Sequence, residues 1–183
     1  DDESVFGPVL HQLSFGEAIR QNLLTDYRVA IIGVDDATYR AWAEDGELLV
    51  TDTGIQTDAR SLAGQIGLAK AMHRYDLHRV ITFHGTVKQA KDFASSLPDV
   101  VTWMPSNERP VGSLRCDHVS GKMPTGQRIA RLQALRHQAN DERGVLSNAR
   151  CLSEGVDVPT LDGVAFIQPR RSQVDIVQAV GRA

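Results

Sequence analysis

Five short apolar runs, separated by stretches with helical patterns, constrain the fold of this 183-residue chain more than any other feature. The runs are Tyr27 to Val34, Arg79 to Phe83, Cys116 to Ser120, Gly144 to Leu146 and Gly163 to Ile167. Runs of this kind are typical of parallel strands that are covered on both faces. Their alternation with helices predicts an α/β fold, with an open, mainly parallel sheet and helices on both faces.

The loops that follow these runs hold polar and small residues. They carry Asp35-Asp36, His84-Gly85, Ser120-Gly121, Ser147-Asn148 and Gln168 to Arg171. Right-handed crossovers would bring all five loops to one edge of the sheet. Because parallel sheets bind ligands at the carboxyl ends of their strands, this edge is the predicted site.

Helical periodicity and capping signals place the connecting helices. Helices are predicted over Thr57 to Tyr75, from Thr86 through Leu97, and over Thr125 to Ala139. The second begins with a capping box, T-x-x-Q, formed by Thr86 and Gln89, which places Phe93 on its inward face. Pro98 to Leu114 is rich in proline, glycine and polar residues, which indicates an insertion or a long loop, with a short helix at its start as an open alternative.

Composition narrows the function classes. A hydrophobic fraction of 42% predicts one ordinary globular domain. The net charge of -3 gives no overall basic field, so contact with nucleic acid has to be local. Two distant cysteines and six scattered histidines argue against a disulfide framework or a zinc site. With no apolar run near the roughly 18 residues of a membrane span, we expect a soluble, cytoplasmic protein.

The stretch from Gly144 to Pro159, GVLSNARCLSEGVDVP, combines a buried strand with a glycine-containing turn. The apolar start predicts a strand that opens into a loop at Ser147. The turn carries Gly155 and Asp157, so a carboxylate follows a glycine whose backbone can approach a ligand. A turn-forming Gly155 and a loop-capping Asp157 explain the same pattern, and the residues alone leave both interpretations open.

The last stretch, Ser172 to Ala183, predicts a helix with a polar face. Its S-x-x-D start is a variant of the capping box, and valines at 174, 177 and 180 form an apolar stripe. Gln178 and Arg182 are four residues apart, so they share a helix face. Together they can reach one oxyanion, and the planar arginine cation suits phosphate oxygens.

Here the sequence resembles the superfamily 2 helicases, in their second RecA-like domain. SNARCLSEGVDVP is similar to their motif V, and QAVGRA to the first six positions of motif VI, Q-x-x-G-R-x-x-R. ITFHGTV resembles motif IV, and HVSGKMPTGQR the strand, glycine and helix that follow it. The resemblance covers roughly residues 8 to 183. It implies a RecA-like three-layer sandwich of the type found in P-loop NTPases.

For ATP, the resemblance implies a second motor domain that closes on nucleotide held by a first one. ATP and Mg²⁺ would then be held mainly by that first domain, with no cofactor or metal bound by this chain alone. Arg182 would be the arginine finger and Gln178 a hydrogen-bond donor on the phosphate side. Gly155 and Asp157 would form the nucleotide-facing turn.

For nucleic acid, the resemblance implies contacts with the backbone. The sequence does not decide between DNA and RNA, and DNA is the expected partner. The residues that the resemblance assigns to these contacts are Gly85, Thr86, Gly121, Ser147 and Asn148. Backbone amides, hydroxyls and helix N-termini would bind the phosphates. This mode of binding is compatible with an acidic domain.

The sequence lacks a G-x-x-x-x-G-K-[ST] phosphate loop, because Gly121-Lys122 is followed by Met123. We therefore expect a first motor domain before Asp1, with residues 1–26 as a linker. Residues 27–183 would be the helicase C-terminal domain, truncated within motif VI, because the last arginine of that motif is not in the chain. Alone, the chain is expected to hydrolyse no ATP.

Two alternatives stay open from sequence alone. In a flavodoxin-like signalling receiver, Asp35-Asp36 would hold magnesium, but its third strand would end in an acceptor aspartate, where this chain has Gly121. An α/β interaction domain without a nucleotide role is the other alternative. A phosphate loop upstream would separate both from a motor.

Overall fold

The structure, a computed structural model, describes residues 7–8, 10–11, 13–23, 26, 28–33, 59–139, 141–149 and 161–168. The chain divides into two compact units, Asp1–Ala30 and Ile31–Ala183. The first unit contains helix α1 (Phe15–Arg20), whose N-cap Ser14 accepts a hydrogen bond from the amide of Glu17 at 3.3 Å.

The second unit contains a parallel sheet and its connecting helices. They are α2 (Ala59–Tyr75), β1 (Arg79–Phe83), α3 (Val87–Trp103), β2 (Ser113–Ser120), α4 (Thr125–Arg136), β3 (Glu142–Ala149) and β4 (Gly163–Phe166). The strands lie in the order β2-β3-β1-β4, and every neighbouring pair is parallel. The predicted open parallel sheet is therefore confirmed.

Alternate residues of the central strands bury their side chains on opposite faces of the sheet. Val80 and Val145 join the apolar core formed with α2 and α3. The next residues along, Ile81 and Leu146, pack with Leu135 of α4 on the other face. Helices thus cover both faces, as predicted. The described helices, residues 15–20, 59–75, 87–103 and 125–136, include none long and apolar enough to cross a membrane.

The predicted first strand, Tyr27 to Val34, is wrong over the residues described. Residues 28–33 form no strand, and Val29 and Ile31 are 78% and 96% exposed. An apolar run favours a strand, but a strand exists only where its backbone pairs with a neighbour. Among the described residues the sheet has four strands rather than five, and the receiver interpretation loses the strand it required.

The long loop predicted from Pro98 begins later in the structure. Its first residues are helical, but they continue α3 through Pro98 to Trp103 and do not form a separate short helix. Proline in a helix interior costs about 3 kcal/mol. Leu97, Val100 and Val101 are buried in the core around it. Each such side chain stabilises by about 1.5–3 kcal/mol, so their burial outweighs the proline. β2 then begins at Ser113, three residues before its predicted start.

β3 is longer than predicted, because Ser147 and Asn148 belong to the strand and not to a loop. β3 is hydrogen-bonded on both sides, with Ser147 opposite Thr82 of β1 and His118 of β2. Pairing on two sides holds the backbone extended beyond the apolar residues. The small polar side chains are consequently buried within the sheet layers.

Candidate nucleic-acid interface

The carboxyl ends of all four strands lie at one edge of the sheet, because every neighbouring pair is parallel. We call this the carboxyl edge, and it comprises residues 84–86, 120–121, 147–149 and 167–168. The predicted contacts Gly85, Thr86, Gly121, Ser147 and Asn148 all lie here. The structure thus brings them to one edge, as the strand-end rule predicts.

Beneath this edge lies a buried row of polar side chains. Thr82, His84 and Ser147 are 0%, 2% and 0% exposed. The Thr82 hydroxyl donates to Ser147 Oγ at 3.0 Å and lies 2.9 Å from Nε2 of His84. With the Thr82 proton directed to Ser147, the contact with His84 is a hydrogen bond only in the tautomer that carries its proton on Nε2. The row links the ends of β1 and β3.

Two further contacts hold His84, one through its ring and one through its backbone. Its ring lies 4.7 Å from the ring of Phe93 on α3, measured between centroids, at 57°. Its backbone amide donates to the carbonyl of Asn148 at 2.9 Å. These contacts fix the backbone that leads into Gly85.

Ser147 and Asn148 are both 0% exposed, so their side chains lie below the surface of the edge. The Ser147 hydroxyl already accepts a hydrogen bond from Thr82. Direct contact of these two residues with a phosphate stays a prediction. The geometry favours an indirect role, in which they support the exposed loops above them.

The turn of Gly85 and Thr86 presents backbone amides that are bonded to two glutamine side chains. The Gly85 amide donates to Oε1 of Gln168 at 3.1 Å. The Thr86 amide donates to Oε1 of Gln89 at 3.1 Å, and Thr86 Oγ1 accepts from the Gln89 amide at 3.2 Å. This confirms the predicted capping box. A phosphate that contacts these amides would therefore replace a carboxamide oxygen.

The end of β2 is more open. Gly121 and Lys122 are exposed. α4 begins two residues after Met123, with Pro124 as its N-cap and no side-chain hydrogen bond to its first amides. The amides of Gln127 and Arg128 donate to the Pro124 carbonyl at 3.1 and 3.2 Å. Since the first turn also lacks an acidic residue, the amides of Thr125 and Gly126 can serve an acceptor from outside the chain.

The charge near this edge comes from a few individual side chains. His118 of β2 lies opposite Ser147, and burial, followed by the nearby Arg131 cation, lowers the pKa of its imidazole against the opposing pull of Asp117. Arg131 itself pairs with Asp117 at 3.2 Å. His118 is therefore neutral near pH 7, and exposed lysines such as Lys122 supply positive charge instead.

The predicted nucleotide residues, Gly155, Asp157, Gln178 and Arg182, lie outside the described residues. Within the part of the chain that the structure describes, no three His, Cys, Asp or Glu side chains are grouped so as to hold a metal ion.

No role was predicted for three residues at or beneath this edge, Thr82, His84 and Gln168, although the last two were placed in its loops. Thr82 and His84 share a face with the buried Val80, and polar residues at inward positions of an apolar strand were the available signal. Gln168 gave no such signal, because its partner Gly85 is 83 residues away in the chain.

Comparison with known proteins identifies the family. Residues 65–183 match the model of the helicase conserved C-terminal domain. The fold is similar to the ATP-dependent Type ISP restriction-modification enzyme LlaBIII bound to DNA, with a TM-score of 0.78 and 34% identity, over 100% of this chain and 12% of that one. It is also similar, at the level of fold, to the C-terminal part of the Fun30 ATPase domain, with a TM-score of 0.51 and 13% identity, over 82% of this chain and 45% of that one. A comparison with curated proteins gives no match.

The matched range contains all four described strands and therefore the whole carboxyl edge. The parallel sheet with helices on both faces is the architecture that the sequence motifs implied. The chain therefore belongs to the helicase C-terminal domain family.

Proposed function

We propose that this chain is the second motor domain of an ATP-dependent DNA translocase or helicase. Its carboxyl edge binds the nucleic-acid backbone, and the domain closes on ATP and Mg²⁺ held mainly by a first motor domain. The chain spans 12% of the length of LlaBIII, so the activity of the whole protein is part of the proposal. The main support is the gathering of four strand ends on one edge in a member of this family.

The chemistry of the edge suits a phosphate backbone. Gly121 is exposed and has no side chain to block the approach of a phosphate. The amides of Gly85 and Thr86 donate to carboxamide oxygens, which a phosphate oxygen could replace. Ser147 and Asn148 support these loops from below. Contacts of this kind read no bases, so binding is sequence-independent and weakens with salt.

DNA is the proposed partner because LlaBIII, at 34% identity, was solved bound to DNA. A titration at low salt tests the edge, using the isolated chain and equal lengths of DNA and RNA. Gly121→Glu places a negative charge at the end of β2 and should abolish binding. Thr102→Glu, an exposed position near the end of α3, is the matched control. Equal affinity of the two variants would contradict the assignment of the edge.

ATP hydrolysis depends on residues beyond the described sheet. Arg182 is the proposed arginine finger, Gln178 binds on the phosphate side, and Gly155 with Asp157 faces the nucleotide. Mg²⁺, held by the first domain, neutralises charge on the phosphates. Since the isolated chain lacks a phosphate loop, it should hydrolyse no ATP.

Arg182→Ala in the intact protein is the decisive test. Hydrolysis should fall by roughly 10³-fold or more, the range found for arginine fingers, while melting temperature and ATP affinity change little. Arg182→Lys should recover little activity, because a point charge does not reproduce the planar fork. Arg136→Ala, at an exposed position on α4, is the control. Normal turnover per folded molecule in Arg182→Ala would refute the finger assignment.

A further inference from the structure

The hydrogen bond from Gly85 to Gln168 continues the pairing of β1 and β4 beyond the strands. Phe83 lies opposite Phe166, and their rings stack at 5.4 Å between centroids. The Ile167 amide then donates to the Phe83 carbonyl at 3.4 Å. Beyond the last backbone hydrogen bond between the strands, the side-chain oxygen of Gln168 accepts a hydrogen bond from the Gly85 amide at 3.1 Å.

Gly85 has no side chain because two carboxamides close around it. A Cβ at residue 85 would lie 2.6 Å from Oε1 of Gln168 and 3.3 Å from Oε1 of Gln89. The backbone of Gly85 is not in the left-handed region, so conformation alone does not require glycine. The position therefore needs room for Gln168.

Gln168 lies between two parts of the chain that have different proposed roles. On one side it holds the turn proposed to contact the nucleic-acid backbone. On the other, it is followed within fourteen residues by Gln178 and Arg182, the groups proposed to act on ATP. Gln168 thus joins the Gly85-Thr86 turn to the start of the segment that carries those groups.

We propose that Gln168 is a positioning residue that couples nucleic-acid binding at the Gly85-Thr86 turn to ATP hydrolysis by the segment after β4. The inference rests on the proposed function. A phosphate at this turn changes the position or the hydrogen bonding of the Gly85 amide, and Gln168 passes the change to the end of β4. Couplings between sites typically amount to roughly 5- to 150-fold.

The first experiment separates the hydrogen bond from packing. In the intact protein, Gln168→Met keeps a similar volume but accepts no hydrogen bond from Gly85. At saturating DNA, the ratio of stimulated to basal hydrolysis should fall about 10-fold, with an unchanged melting temperature. Gln168→Glu retains an acceptor and should retain the ratio, although its charge raises the KM for DNA. Gln133→Met, on an exposed part of α4, should behave like the wild type.

A double-mutant cycle shows whether Gly85 is the partner. Gly85→Ala adds a methyl group that displaces the carboxamide of Gln168, and should lower the ratio by a similar factor. Combined with Gln168→Met it should cause no further loss, because both changes remove the same bond. Losses that multiply, or a normal ratio in Gln168→Met, would overturn the coupling role. A wild-type protein without DNA-stimulated hydrolysis would instead overturn the proposed function itself.

Discussion

The two edges of the parallel sheet are built from different side chains. We call the end where the strands begin the amino edge, and there the long, charged Arg143 and the carboxylate of Asp162 bind backbone groups of neighbouring elements. At the carboxyl edge, the hydroxyl of Thr86 and the neutral carboxamides of Gln89 and Gln168 do so. Hydrogen bonds to charged groups contribute roughly 1.5–3 kcal/mol each, against about 0.5–1.5 for neutral ones. The amino edge is therefore the more strongly fixed.

Arg143 is the centre of the amino edge and is only 7% exposed. Its guanidinium donates to the carbonyls of Leu77 and Val111 and to a carboxylate oxygen of Asp76, each at 2.6 Å. One side chain thus ties the α2–β1 turn, the segment before β2 and the start of β3 together.

At the carboxyl edge the bonding partners are exchangeable. The amides of Gly85 and Thr86 are held by the neutral oxygens of Gln168 and Gln89. A phosphate oxygen makes charge-assisted hydrogen bonds, which are roughly twice as strong as neutral ones. If the edge binds a nucleic-acid backbone as proposed, phosphate oxygens would replace the carboxamides without unfolding the sheet, whereas no such exchange is expected of Arg143 at the amino edge.

The largest effect that this comparison predicts is that of Arg143→Met. It removes the donor to two carbonyl groups and one carboxylate and should lower the free energy of unfolding by about 3 kcal/mol. Urea unfolding of the isolated chain measures the change. Arg136→Met, at an exposed position, should cost far less. If the two variants unfold at the same urea concentration, the amino edge is not the stabilising one.

Thr82→Val should have the next largest effect, because it removes the donor to the buried Ser147 hydroxyl. We expect a loss of about 2 kcal/mol of unfolding free energy, within the cost of an unsatisfied buried group. Adding Ser147→Ala removes that group, so the double variant should lose less than the two single losses combined. Strict additivity in urea unfolding would show that the hydroxyls do not act as a pair.

These contacts also show what the sequence could and could not predict. The limits of β1 and the Thr86–Gln89 capping box were predicted correctly, because each signal lies within a few residues. The passage of α3 through Pro98 was not, since it depends on burial against other elements.

At the candidate site, too, local features could be predicted from the sequence and long-range contacts could not. Gly85 and Gly121 could be placed at the carboxyl edge, because each directly follows a predicted strand. The burial of Ser147 could not be predicted, because it depends on two partner strands. The hydrogen bonds of Arg143 join residues more than sixty positions apart in the chain, and no local sequence pattern predicts such contacts.

Thr86→Ala should have a smaller effect on stability than either change above. It removes the N-cap hydroxyl of α3, which costs about 1 kcal/mol. Thr102→Ala is the matched control, because the Thr102 hydroxyl bonds only a carbonyl of its own helix among the described residues. Thermal unfolding should separate the two variants. A loss above that of Thr82→Val would reverse the proposed order of the carboxyl-edge contacts.

The smallest expected effect is that of Asp76→Asn, and it depends on pH. The hydrogen bond and charge of Arg143 lower the pKa of the Asp76 carboxyl, whose value in unfolded chains is about 3.9. Its ion pair is therefore fully present above that value and is lost as pH falls through the lower folded-state pKa. Because the Asp76 side chain is 77% exposed, solvent screening keeps its contribution small.

Wild type and Asp76→Asn should differ in melting temperature by a constant, small amount from pH 7 to about pH 5, and the difference should shrink below about pH 4. Asp141→Asn, at an exposed position, controls for the loss of one negative charge. A difference that persists at pH 2 would mean that Asp76 acts at the amino edge by its shape or its neutral hydrogen bonds, and not through its charge.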